Sequence, residues 1–483
     1  MNENDSTDKM EIAGEKENDG ILKWLKENIE AVIIAFVMAL VIKCFCIEVF
    51  KIPTGSMEPT LHGDPVSGDR IMVNKFYYNL DPIKRFDVII FRYPLETTKT
   101  YIKRVAGLPN EKIMVSEGDL YFNPDNDGQE TFFLAKKPFE LQQKIWIPVH
   151  ENAFVDLVEI GKEWNFDKSA CSLLTDEKGR TTGLLFKTAG TAGKSSLLFA
   201  SKIHDSLNSP LVSGNRVQDF KLAFSAVMQS DTGSIFASIS DGANAFEVKL
   251  DSQGNSMITH SREPMGRGEN APSETPIDFK PVKNEKISLE IMKFDGAFHL
   301  LCNGRELCKL DYKDKYAPET FPAEQRISFG TINSDCLFNR VSVYRDLYYT
   351  AQGNLQQTMT GMPKAMQIPE NSYYMLGDNS LSSKDSRAWE EVVIKLKNGS
   401  TLTGDTQRDS FEGDGKIDNP IIRNKEIIFR DVYGCDHSIE KSAIADFDPY
   451  NIPTRQHPFV TKDEIVGKAF AVWWPPKRAK LIR

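Results

Sequence analysis

Ser56 lies in "FKIPTGSMEPTL", where Pro53, Gly55 and Pro59 punctuate the backbone around one serine. Proline fixes φ and glycine permits conformations that other residues avoid, so such a turn can present a hydroxyl and its own backbone N–H together. A serine becomes a nucleophile only beside a base. The seven histidines are the usual candidates, but the nearest, His62 and His150, stand in no triad-like context. Lys103 is the alternative. In "TYIKRVAGLPNEKI" it alternates with Tyr101 and Val105 along a strand-like run. A lysine is a base only when neutral, and an unperturbed one is neutral about once in a thousand at pH 7.5. Working there needs a downward shift of about 3 units, about 4 kcal/mol, which burial among apolar groups supplies. The seven cysteines offer less: they are scattered with no CxxC pair, so no disulfide scaffold, metal site or cofactor is expected.

These residues need elements to hold them. A chain of 483 residues exceeds one ordinary core, and 40% hydrophobic and 26% charged residues are globular values. A net charge of -9 without a long basic run argues against a nucleic-acid partner. Residues 1–27 read as a polar, disordered tail. Ala31 to Phe50 is apolar except for Lys43 and Glu48, and as a helix would span about 30 Å, a bilayer core. Ala31 to Ile42 shows no polar face, which argues against a core helix. The nearest small-x-small triplet is Thr54-Gly55-Ser56, and a cut there would destroy the serine turn, which argues against a removable leader. A single transmembrane helix over 28–50 is therefore expected. Lys23 and Lys26 on one side and Lys43 and Lys51 on the other leave its orientation open.

Taken in order, the apolar segment, "IPTGSMEPTL", "GDRIMVNKFYY", "YIKRVAGLPNE", "GDNSLSSKDSR" and "DEIVGKAFAVWWPPKR" resemble the bacterial type I signal peptidases, membrane-anchored serine–lysine proteases. The resemblance implies Ser56 as nucleophile, Lys103 as general base, and Thr54 with the Ser56 N–H as the oxyanion hole. It further implies that Ser383 hydrogen-bonds and orients the base, that Asp385 and Arg387 prop the site as a charge pair, and that Met57, Pro59, Gly377, Asp378 and Asn379 support the motif. It implies a tail in the cytoplasm, a catalytic body on the outer face of the bacterial cytoplasmic membrane, and as partners the signal peptides of preproteins, the lipid bilayer and the secretion translocon. Three positions depart from the family pattern. Asn110 stands where glycine is common, Ser380 where arginine is frequent, and Glu390 where glycine is usual.

Less than half the chain carries that resemblance. Residues 151–350 form an insertion of alternating runs, among them "KLAFSAVMQ", "SIFASIS" and "KISLEIMKF", with a hairpin signal at Asn303-Gly304. An antiparallel β-sandwich is expected, loosely similar to concanavalin-like and laminin-G jelly rolls. Residues 391–458 form a second small β insertion, with a hairpin signal at Asn398-Gly399 and an acidic turn at Asp409 to Asn419 whose spacing does not fit a calcium loop. The peptidase is expected over 51–150, 351–390 and 459–483, the last as closing strand and tail. The fold class is thus mainly β. Two readings from other classes remain: a catalytically weak anchored protein whose sandwich binds glycan or protein, and a self-cleaving repressor-type regulator, which would carry a DNA-binding module and no anchor.

Overall fold

The computed structural model describes residues 28–40, 46–124, 131–151, 164–166, 171–177, 181–190, 193–199, 202–205, 214–262, 271–317, 325–356, 363–409 and 415–482. The expected tail, residues 1–27, lies outside them. The fold is mainly β, with few and short helices. Residues 28–40 are helical and expose their large apolar side chains, Val32 at 67% and Phe36 at 65% among them. No helix among the described residues is long and apolar enough to cross a membrane. The expectation of helix as far as Phe50 is corrected. Ile47–Lys51 (β1) is a strand, paired antiparallel with Arg70–Asn74 (β2) from Ile47↔Asn74 to Lys51↔Arg70. Ile47, Val49 and Phe50 are residue types that suit a pleated surface, and a partner strand takes up their backbone groups.

The sheet that carries the site continues with Val88–Tyr93 (β3), Glu96–Gly107 (β4), Ser372–Leu376 (β5), Phe459–Thr461 (β6), Ile465–Trp474 (β7) and Lys480–Leu481 (β8). Its order is β1-β2-β7-β3-β4-β5-β6, with β8 on β7. Residues from the far end of the sequence thus lie between β2 and β3. Alternation along β3 buries both faces: Val88 and Ile90 join Ile52, Met57, Ile71 and Val472 in one core, while Ile89, Phe91 and Tyr93 join Met375, Trp389 and Val460 in another.

Two further sheets make a sandwich. One holds Phe220–Met228, Lys286–Phe294, Ala297–Cys302 and Cys336–Arg345, the other Ser234–Ser240, Asn244–Asp251 and Arg326–Ile332. They share one core, in which Phe224 stacks on Phe329 and Phe246 on Phe298. Asn303 and Gly304, both at positive φ, turn the hairpin between Ala297–Cys302 and Arg305–Asp311.

The seam between sandwich and peptidase does not fall at residue 150. Ile147–Glu151 pairs with Cys336–Arg345 inside the sandwich sheet. Beside it, Lys137 Nζ contacts Asp346 at 2.9 Å and Asp295 at 2.5 Å, and Lys293 Nζ contacts Asp241 at 2.6 Å and Asp219 at 3.2 Å. All four acids and both lysines are buried. Asp119, Asp219 and Asp295 bring carboxylate oxygens within 4.8 Å of one another. Burial, with the neighbouring carboxylates adding to it, pushes the Asp295 carboxyl up to about 7 and the Asp119 carboxyl well above its ordinary value. The second insertion has its own small core around Ile394, Ile427 and Phe429.

Candidate active site

Ser56 sits in a single 3₁₀ turn, Gly55–Met57, that follows an extended Thr54 at φ -130°, ψ 148°. Met57 anchors the turn, fully buried beside Ile52 and Leu61. Pro59 follows a cis peptide bond. Lys103 lies on β4 and its Nζ donates to Ser56 Oγ at 2.8 Å and to the Ile102 carbonyl at 3.1 Å. Both residues are buried, Ser56 at 8% and Lys103 at 4% exposure. Burial pulls the Lys103 ammonium from its ordinary 10.5 down to about 8, with Arg387 adding to the effect and Asp385 and Asp378 opposing it. A lysine at that value is deprotonated in a sizeable fraction of molecules near neutral pH.

The segment Gly377–Arg387 clamps the serine turn from the other side. The Asn379 backbone N–H donates to the Ser56 carbonyl at 3.2 Å, and its side-chain amide donates to the Gly55 carbonyl at 3.1 Å. Gly377 is required here for space: a Cβ would lie 2.5 Å from the Ser56 carbonyl oxygen and 2.2 Å from Ser383 Oγ. The Gly377 N–H donates to Asp385 Oδ2, and Arg387 holds that carboxylate in a bidentate pair at 2.6 and 2.8 Å. Both members are at most 2% exposed, so this is a buried support and not a surface pair. Arg387 also donates to Thr350 and to both oxygens of Ser380, the position where the family frequently has arginine. The short serine there is what accepts the guanidinium. Asn110, another departure, adopts φ 67°, a left-handed conformation that asparagine tolerates.

One expected contact is not formed. Ser383 Oγ is buried against Gly377 and makes no hydrogen bond, because the Lys103 ammonium points at Ser56 and Ile102 instead. Thr54 is exposed and makes no capping hydrogen bond. Its carbonyl is fixed by close approach, since a Cβ on Gly63 would lie 1.7 Å away.

Arg104 and Thr60 escaped the sequence reading. Strand alternation sends Arg104 to the side opposite Lys103. There it grips Asp378 at 2.6 and 2.7 Å while Thr60 Oγ1 donates to the same carboxylate. The signal was present in "IKR", a charged pair inside an apolar strand, of which only one member faces the serine.

This arrangement sets a buried lysine amine against a serine hydroxyl, the contact that proton transfer from the serine requires. The chain matches the family model of signal peptidase, peptidase S26, over residues 25–149 and 302–407. It is 43% identical over 100 residues to signal peptidase I of Pseudomonas aeruginosa, covering 18% of this chain and 34% of that one. It is 35% identical over 129 residues to a probable signal peptidase I of Synechocystis, covering 25% and 62%, and 36% identical over 124 residues to signal peptidase I T of Bacillus subtilis, covering 26% and 58%. The chain thus spans between a third and three fifths of the length of these curated relatives. Among solved structures it is similar to the carbohydrate-binding module CBM66 of Bacillus subtilis at 14% identity and a TM-score of 0.23, over 38% of this chain and 95% of that one, a likeness too faint to decide anything about the sandwich. The segments that hold Ser56, Lys103 and the Gly377–Arg387 clamp are the ones that match the family model of signal peptidase, peptidase S26.

Proposed function

We propose that the chain is a membrane-anchored serine endopeptidase that removes N-terminal signal peptides from secreted preproteins. The observation that carries the reading is the 2.8 Å contact between a buried Lys103 ammonium, its proton affinity lowered by that burial, and the hydroxyl of Ser56. Neutral Lys103 takes the proton as Ser56 Oγ attacks the scissile carbonyl, and returns it to the leaving amine. The Ser56 N–H and the Thr54 hydroxyl hold the oxyanion. Asp385, Arg387, Asp378 and Asn379 keep the turn and β4 in register, and Ser383 accepts a donor from Lys103 once substrate displaces the serine hydroxyl. The substrate adds as an extended strand, with small side chains selected beside the cut.

The exposed apolar side chains of residues 28–40 support an anchor that continues towards β1. Ser56 lies five residues past the end of β1 at Lys51, so the chain keeps the nucleophile within about 20 Å of that point and close to the lipid surface. The catalytic body then stands on the outer face of the cytoplasmic membrane, beside the lipid and the secretion translocon, and its partners are preproteins.

Purified protein in detergent should cleave a preprotein at its signal junction. Ser56→Ala and Lys103→Ala should each abolish cleavage, by at least a thousandfold, while circular dichroism stays unchanged. Retention of most activity by Lys103→Ala would refute the dyad.

A further inference from the structure

The second insertion runs alongside β4, outward from the catalytic lysine. Nearest the dyad, Asp405 accepts Lys384 Nζ at 2.9 and 3.0 Å and the Tyr93 hydroxyl at 3.0 Å. Lys384 stands between Ser383 and Asp385, and the Tyr93 ring stacks on Tyr101 with centroids 4.3 Å apart. Further along, Lys99 pairs with Asp409 at 2.6 Å. At the far end the Thr97 N–H donates to the Val432 carbonyl at 2.7 Å, and a Cβ on Gly434 would lie 3.1 Å from the Thr98 side chain. An extended strand rises about 3.3 Å per residue, so Thr98 lies about 17 Å along β4 from Lys103.

The turn that docks there is ordered in advance. Asp431 Oδ1 accepts the N–H groups of Tyr433 and Cys435, each at 2.9 Å, and Oδ2 meets His437 Nε2 at 2.7 Å. The Gly434 N–H closes back on the Asp431 carbonyl. Tyr433, at its tip, is 71% exposed. A rigid turn that holds an aromatic ring in solvent offers contact area at little entropic cost.

We propose that the Asp431–Cys435 turn is a distal recognition element for the polypeptide substrate. A chain whose cleaved bond sits at Ser56, and which runs along β4 towards Thr97, brings the fifth or sixth residue from that bond against Tyr433. The ring takes an apolar side chain there. The proposal rests on the endopeptidase reading of Ser56 and Lys103 and adds to it a specificity determinant supplied by the insertion.

Two fluorogenic peptides with the same residues around the cut test it, one extending three residues to either side and the other eight, with leucine at the fifth and sixth positions. For the unaltered protein, kcat/KM on the long peptide should exceed that on the short one. Tyr433→Ala should lower the long-to-short ratio about tenfold, mainly through KM. Tyr450→Ala, a still more exposed aromatic elsewhere in the insertion, should leave the ratio unchanged. Cleavage of both peptides with a ratio indifferent to Tyr433→Ala would overturn the proposal and leave the peptidase reading intact. Cleavage of neither by the unaltered protein would overturn both. A benzophenone at the sixth residue of the long peptide, bound to Ser56→Ala protein, should cross-link within residues 431–435, and a cross-link elsewhere would also overturn the proposal.

Discussion

Lys103 holds its serine at 2.8 Å with no carboxylate in hydrogen-bond contact, so burial governs its proton. Because its pKa is lowered to about 8, activity should rise with pH along a limb centred near 8. A limb centred near 10 would refute the burial argument. The same shift has a stability cost with a definite sign. The unfolded chain binds the Lys103 proton more tightly than the fold does, so between pH 8 and 10.5 stability rises with pH, and near neutrality the lysine costs about 3 kcal/mol. Lys103→Met, of similar volume, should therefore abolish activity yet raise the melting temperature at pH 7, with the gain shrinking towards pH 10.5. Calorimetry across that range checks it. Sequence reasoning singled out Ser56 and Lys103, which the fold brings to 2.8 Å, since a lone serine in a Pro/Gly turn and a lysine in an apolar strand are each out of place. It could not find the unbonded state of Ser383, which depends on where a flexible ammonium points.

At the scale of the element, the serine turn is too short to hold itself. Its 3₁₀ helix spans three residues and has no side-chain cap. Its geometry comes from Asn379, which bonds both the Gly55 and Ser56 carbonyls. Asn379→Ala removes the side-chain bond while leaving the backbone one. It should lower kcat ten- to a hundredfold, about 1.4–2.7 kcal/mol of transition-state stabilisation, with KM and melting temperature nearly unchanged. Equal losses in stability and activity would show that Asn379 merely holds the fold. The strands of the sandwich were legible from alternation, down to the Asn303-Gly304 turn. The strand Ile47–Lys51 was not, because continuous apolar residues suit a membrane helix and a strand alike, and only its pairing with Arg70–Asn74 decides.

For the whole molecule, the sequence suggested a sandwich inserted over 151–350 as a body separate from the peptidase. The seam argues otherwise. Ile147–Glu151 is a strand of the sandwich sheet, and the Lys137 ammonium lies between carboxylates of Asp295 and Asp346, which the insertion supplies. Excision of 151–350 should therefore yield aggregated or molten protein, and a folded, active product would show the two bodies to be independent. In the intact chain, Lys137→Ala leaves Asp295 and Asp346 buried without their cation and should cost about 3–5 kcal/mol in urea unfolding. No sequence pattern announces such a junction, because its charges lie far apart along the chain and each looks like a surface residue. The placement of β7 between β2 and β3 carries a consequence in time. A ribosome delivers the serine near residue 56 long before it delivers Ile465–Trp474, and at about 5–20 residues per second the wait is about 20–80 seconds. Through that interval the sheet has a gap at its centre and the Asn379 clamp arrives late. The nascent chain therefore carries Ser56 with its surroundings unassembled until the chain is nearly complete.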